Sequence, residues 1–178
     1  GSLFLIGGWN PYCTRKEEKV INCYFPKITT NEVWRSDDNG RKWHQIKKNT
    51  FDNHFDRFSN SDWRGRHNFG CVSLNGYIYI IGGDAAQGHY INDVWRSKNG
   101  IEWELVNPVP PWAPRVLFIT LVYRDYIYII GGQTMSRTVL QLESEYKNNS
   151  IRETYFNEVW RSKDGFDWEL LPQDPGNA

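Results

Sequence analysis

Apolar positions along the chain come in short bursts closed by turn residues, not in the long stripes of a helix. "NFGCVSL" (Asn68 to Leu74) and "YIYIIGG" (Tyr77 to Gly83) are runs of strand length, and Asn75-Gly76 between them suits a type I′ turn, whose central residues both need positive φ. The counterpart "VLFITLVYRDYIYIIGG" (Val116 to Gly132) places Arg124-Asp125 at that turn. A second pair of runs follows. "NDVWRS" is turned back by Asn99-Gly100 into "IEWELV", Asn39-Gly40 and Asp164-Gly165 mark the same turn elsewhere, and in every copy a Trp follows the Gly by three residues. The pattern predicts units of four short strands, a to d, recurring along the chain. The words that recur are "NEVWRSDDNGRKW" (Asn31 to Trp43), "NDVWRSKNGIEW" (Asn92 to Trp103) and "NEVWRSKDGFDW" (Asn157 to Trp168), so Trp34, Trp95 and Trp160 open each hairpin and Trp43, Trp103 and Trp168 close it.

Composition sharpens this picture in two ways. Aromatic residues make up 16% of the 178, with nine Trp and ten Tyr, which favours strands carrying large, rigid packing groups. Lys and Arg total 21 against 21 Asp and Glu, so a formal net charge of zero provides no field to draw the chain onto nucleic acid or an anionic membrane, and neither is expected as a partner. No stretch reaches the roughly 20 apolar residues of a membrane span, and "LFLIGG" is too short and lacks the basic flank of a signal peptide. Cys13, Cys23 and Cys71 form no CxxC pair, and no metal site is expected. Cys13 and Cys23 share one inserted segment, which a disulfide would staple in an oxidising compartment; idle thiols are the alternative.

A hydrophobic run, Gly-Gly, a spacer, Asn-Asp/Glu-Val-Trp and a second Trp eight or nine residues on resemble the kelch motif, whose four-stranded units are blades of a β-propeller. The resemblance implies an all-β propeller segment of about three four-stranded antiparallel blades. On this reading a partial blade covers 1–48 and lacks its innermost strand; blades at 66–107 and 115–172 follow, with linkers at 49–65 and 108–114 and a tail at 173–178. The double glycines Gly7-Gly8, Gly82-Gly83 and Gly131-Gly132 would end strand b, where a missing Cβ permits a tight exit and close packing. "SDDNGRKW" (Ser36 to Trp43) also resembles the Asp box of sialidase-type propellers, a hairpin-folding element remote from catalysis. "SKNGIEW" and "SKDGFDW" depart from it by one missing residue and would close shorter turns. Three blades do not close a ring. If each outer face left roughly 400 Å² of apolar surface in water, the two together would forgo on the order of 20 kcal/mol, more than the roughly 5–15 kcal/mol of a typical domain. The expectation is an incomplete ring, with the remaining blades of a longer parent chain as its first partners.

The candidate working surface is the end of the blades from which the b–c and d–a connections leave. The b–c connections run about 22 residues after Gly8, about 8 after Gly83 and about 24 after Gly132, and "VLQLESEY" within the last is a candidate short helix. "WRGRH" and "WAPR" recur there: Trp63 with Arg66 and Trp112 with Arg115, each Arg sixteen residues before the first Gly of a pair. At the channel mouth their planar forks would take an acidic side chain in two hydrogen bonds, as kelch propellers resemble in presenting Arg to acidic peptides. The competing reading pairs each Arg with an acid of a neighbouring blade or stacks it on Trp. His67, Asp84 and Gln133 complete the candidate binding set. No catalytic residue is assigned, since Val116 holds the place of His67 in the next copy. The reading is a non-catalytic segment binding a protein or peptide, with acidic character favoured, and no cofactor is implied. The alternative is a carbohydrate-binding or carbohydrate-active propeller, either sialidase-like or similar to kelch epimerases.

Overall fold

The computed structural model describes residues 1–9, 29–50, 62–85, 89–134 and 154–173, and these fold into antiparallel sheets without a helix among them. The first sheet contains β1 (Leu3–Trp9), β2 (Thr29–Ser36) and β3 (His44–Lys47), in that order. The second contains β4 (Gly70–Leu74), β5 (Tyr77–Asp84), β6 (Tyr90–Ser97) and β7 (Glu104–Asn107), also in chain order. In the third, β8 (Ile119–Tyr123) and β9 (Tyr126–Ile130) are followed along the chain by β10 (Gln133–Thr134) and β11 (Thr154–Tyr155), which pair as a separate two-stranded sheet, then by β12 (Val159–Ser162) and β13 (Glu169–Leu170). Its four main strands have the order β13-β12-β9-β8. The first sheet therefore has no counterpart of β4 or β8 among the described residues. The candidate helix in "VLQLESEY", and the Cys13 and Cys23 segment, lie outside them.

Strand bounds follow local chemistry. Pairing of the innermost strand begins at Gly70 rather than Asn68, because Asn68 stands at φ 50° and breaks the extended run; Leu117 does the same at φ 56°. Just ahead of these kinks, His67 bridges Asp84 and Val116 bridges Gln133 through paired backbone hydrogen bonds. Asn75-Gly76 at φ 50° and 76° makes the expected two-residue turn, and Arg124-Asp125 adopts it at 47° and 60° without a glycine. The outermost strand begins at Glu104 rather than Ile101, since the amides of Ile101 and Glu102 are held by the Asn99 side-chain carbonyl. At the double glycines the ladder shifts register between Ile81 and Gly83. A Cβ on Gly83 would lie 2.6 Å from that of Phe69 and 2.8 Å from the His67 carbonyl, so only glycine fits there.

The period of two along each strand divides the core between two interfaces. From the second sheet, Ile80, Trp95 and Leu105 pack with Ile6, Val33, Phe4 and Ile46 of the first, whereas Tyr79, Ile81, Val94 and Val106 pack with Ile127, Ile129, Trp160 and Trp168 of the third. Trp63 and Trp112, each 1% exposed, are the keystones. Trp63 lies against Gly7 and against Trp103 at 5.5 Å; Trp112 lies against Gly82 and edge-on to Trp168 at 5.8 Å. Their indole N–H groups have no hydrogen-bond partner among the described residues, a cost outweighed by the large area buried. The turns complete each interface. Gly100 sits on Phe4 and Ile46, and Gly165 on Val94 and Tyr79, so each hairpin tip plugs into the sheet before it.

Candidate binding rim

Arg66 and Arg115 lie immediately ahead of the kinks that open β4 and β8, and both are fully buried. Arg66 donates from Nε to the Arg64 carbonyl and from Nη1 to the Gly82 carbonyl, both at 3.0 Å, and its fork grips both carboxylate oxygens of Asp93. Arg115 repeats this on the Ala113 and Gly131 carbonyls and on Glu158 at 2.6 Å, with the Phe156 ring 3.8 Å from its guanidinium carbon. Each acid also accepts from a Trp indole two residues on, Trp95 for Asp93 and Trp160 for Glu158. Burial pushes the Glu158 carboxyl up, but the Trp160 and Arg115 hydrogen bonds and the Arg115 charge outweigh it and hold it below its ordinary value. The geometry gives these guanidiniums to the protein itself, and the acid comes from the same sheet, not from a neighbouring one. Sequence reasoning missed Asp93 and Glu158. The signal was present: an acid stands two residues before Trp in all three copies.

The preceding asparagine has its own task. Asn31 donates to the Trp63 carbonyl and Asn92 to the Trp112 carbonyl, both at 2.8 Å, tying each sheet to the linker of the next. In the second sheet Asn-acid-Val-Trp is thus a two-handed clamp, Asn92 reaching forward to Trp112 and Asp93 back to Arg66, while the first sheet shows the forward hand and the third the backward one.

Above the buried arginines the rim is asymmetric. At the junction of the first and second sheets, the Trp9 indole, 37% exposed, lies 4.3 Å from the His67 ring, and His67 Nε2 lies 4.0 Å from the Asp84 carboxylate. His67 is 9% exposed and its Nδ1 has no hydrogen-bond partner among the described residues. Burial lowers its pKa from the ordinary 6.5, and the nearby Asp84 charge only partly counters this. Asp84 accepts from the His89 amide at 3.0 Å, and the His89 ring lies 3.3 Å from Arg64. Arg64 is half-buried, and desolvation lowers its pKa although Asp93 acts against this. At the next junction Ala113, Val116 and Gln133 take the places of Arg64, His67 and Asp84, and no comparable polar cluster forms among the described residues. Trp9, Arg64 and His89 were not singled out by the sequence. Trp9 was detectable as the residue after Gly-Gly, the position of Asp84 and Gln133.

The Asp-box-like hairpin is internal to its turn. Ser36 donates to Asp38, which accepts from the Arg41 and Lys42 amides, and Trp43 donates to the Gly40 carbonyl. The shorter turns at Ser97 and Ser162 reproduce every contact with one residue fewer. Among the described residues no group of three His, Cys, Asp or Glu is placed to hold a metal ion, and no helix is long and apolar enough to cross a membrane.

The sequence matches the Kelch motif over residues 65–96. No curated protein matches it. Among solved structures it is similar to YjhT, a kelch-type β-propeller protein, with a TM-score of 0.56 and 17% identity over 79% of this chain and 38% of that one. The chain thus spans well under half the length of that neighbour, and the likeness is one of fold. Kelch repeats in general mediate protein–protein interaction, and the fold serves protein-binding and carbohydrate-related propellers. The described residues have the all-β architecture of a partial β-propeller, with a Kelch motif at residues 65–96.

Proposed function

We propose that this chain is a non-catalytic interaction module that takes an acidic protein segment on the loop-bearing rim, at the junction of the first and second sheets. The observation that carries the reading is the exposed Trp9 indole resting on buried His67, with Arg64 half-buried nearby. A cation whose surroundings penalise its charge gains from an arriving carboxylate, and an exposed indole offers contact area at small entropic cost. Arg66 and Arg115 act beneath the rim as anchors that hold its backbone in place. The remaining blades of a longer parent are further partners, packing on the outer faces of the first and third sheets.

Titration of a fluorescein-labelled peptide of alternating Glu and Tyr tests the rim. Arg64→Ala and Trp9→Ala should each weaken binding about ten-fold, equivalent to about 1.4 kcal/mol, with the melting temperature unchanged. Unchanged affinity in both variants overturns the reading. The exposed indole beside a His and a carboxylate also suits a sugar ring. Binding of a neutral oligosaccharide that is lost in Trp9→Ala and kept in Arg64→Ala would establish that second reading instead.

A further inference from the structure

Leu117 holds a backbone conformation that leucine rarely adopts. Its φ is 56°, in the left-handed region where a Cβ crowds the following carbonyl, and it is the one apolar side chain among the described non-glycine residues there. Asn68 occupies the same place ahead of β4, at φ 50°, so in that copy the kink is made by a short polar residue that suits it. Leu117 is also 62% exposed. That exposure does not come from its sheet standing at the end of the row. Asn68 is exposed with the third sheet packed on its following side, and Leu117 with the four-stranded second sheet on its preceding side. Neither neighbour covers the position, which opens onto the rim. Val116 beside it bridges Gln133, as His67 beside Asn68 bridges Asp84, and Gln133 pairs in turn with Tyr155, which is 69% exposed.

We infer that Leu117 is an apolar anchor: it takes a bulky apolar or aromatic side chain of the segment bound on this rim, one sheet on from the acidic residue received beside Trp9 and Arg64. The acidic half of that segment rests on the reading given above, and the apolar half on Leu117. Strain and exposure both count against folding, and the asparagine of the other copy shows that the chain turns here without needing a leucine. A cost of this kind is offset by contact with something outside the fold itself. The fixed backbone also sets the direction of the Leu117 side chain before the partner arrives, which lowers the ordering cost of binding.

The test compares two fluorescein-labelled peptides on the 178-residue chain, one of alternating Glu and Tyr and one of alternating Glu and Ser. Leu117→Asn should raise the melting temperature by about 2–4 °C as the strain is relieved. The same variant should bind the Glu and Tyr peptide about ten-fold more weakly and the Glu and Ser peptide as wild type does. Arg64→Ala should weaken both peptides. A lower melting temperature for Leu117→Asn, or undiminished binding of the Glu and Tyr peptide by it, overturns the inference whatever Arg64→Ala does. Weakened binding in Leu117→Asn with no effect of Arg64→Ala or Trp9→Ala would overturn the acidic reading and uphold the apolar anchor. No binding of the Glu and Tyr peptide by the wild-type chain overturns both.

Discussion

The second sheet and its two neighbours are built from nearly the same words and live under different conditions. Ile80 in β5 is fully buried, while Leu5, at the same register position in β1, is 58% exposed; Leu74 in β4 is 6% exposed and Tyr123, its equivalent in β8, is 54%. The difference is not local. Each strand alternates two apolar faces, and among the described residues only the second sheet has a packed partner on both. Burial in this architecture is a property conferred by neighbours, so identical sequence words carry different energetic weight according to their place in the row.

The clamp acids expose that difference most. Asp93→Ala would leave Arg66 buried without its carboxylate and should cost about 3–5 kcal/mol in urea unfolding. Glu32→Ala, with no arginine to strand, should fall within about 0.5 kcal/mol of wild type; equal costs would show that the acid matters for some reason other than the clamp. Next comes the core. Ile80→Ala should cost about 2–4 kcal/mol and Leu5→Ala under about 1 kcal/mol in the same assay, and a large Leu5 effect would mean that the face is covered in solution. The smallest effect is the sharpest in position. In the third sheet's turn, burial raises the Asp164 pKa, but the Phe166 and Asp167 amides outweigh it and bring the group below 3.8; in the first, the Lys42 amide lowers Asp38 likewise. A folded pKa below the unfolded one gives stability that is fully present above that ordinary value and is lost as pH falls through the folded pKa. Acidification below 3.8 should therefore lower the exchange protection factors of the Lys42 and Asp167 amides and leave that of Glu102, held by the uncharged amide of Asn99, at its neutral-pH value.

The sheets were legible because their signals are local. Asn75-Gly76 and the Gly-then-Trp hairpins are decided by φ preferences and by hydrogen bonds across two to four residues, such as Trp103 to Gly100. The candidate site was legible only in part. The sequence placed Trp63, Arg66, His67, Asp84, Trp112, Arg115 and Gln133 at one end of the sheets, yet it offered Arg66 and Arg115 to a ligand while their carboxylates waited 27 and 43 residues further on.

What the amino-acid order determined by itself is the unit: four short strands, two kinds of turn, a double-glycine bulge and a tryptophan-closed hairpin, repeated. Neighbouring residues suffice to set these, since each rests on backbone preference or a contact within one turn. The tertiary structure alone decided which arginine is buried, which tryptophan is exposed, and which face of each sheet is dry. Those outcomes depend on what stands on the other side of a strand, and no residue along the chain records the surface that will be packed against it.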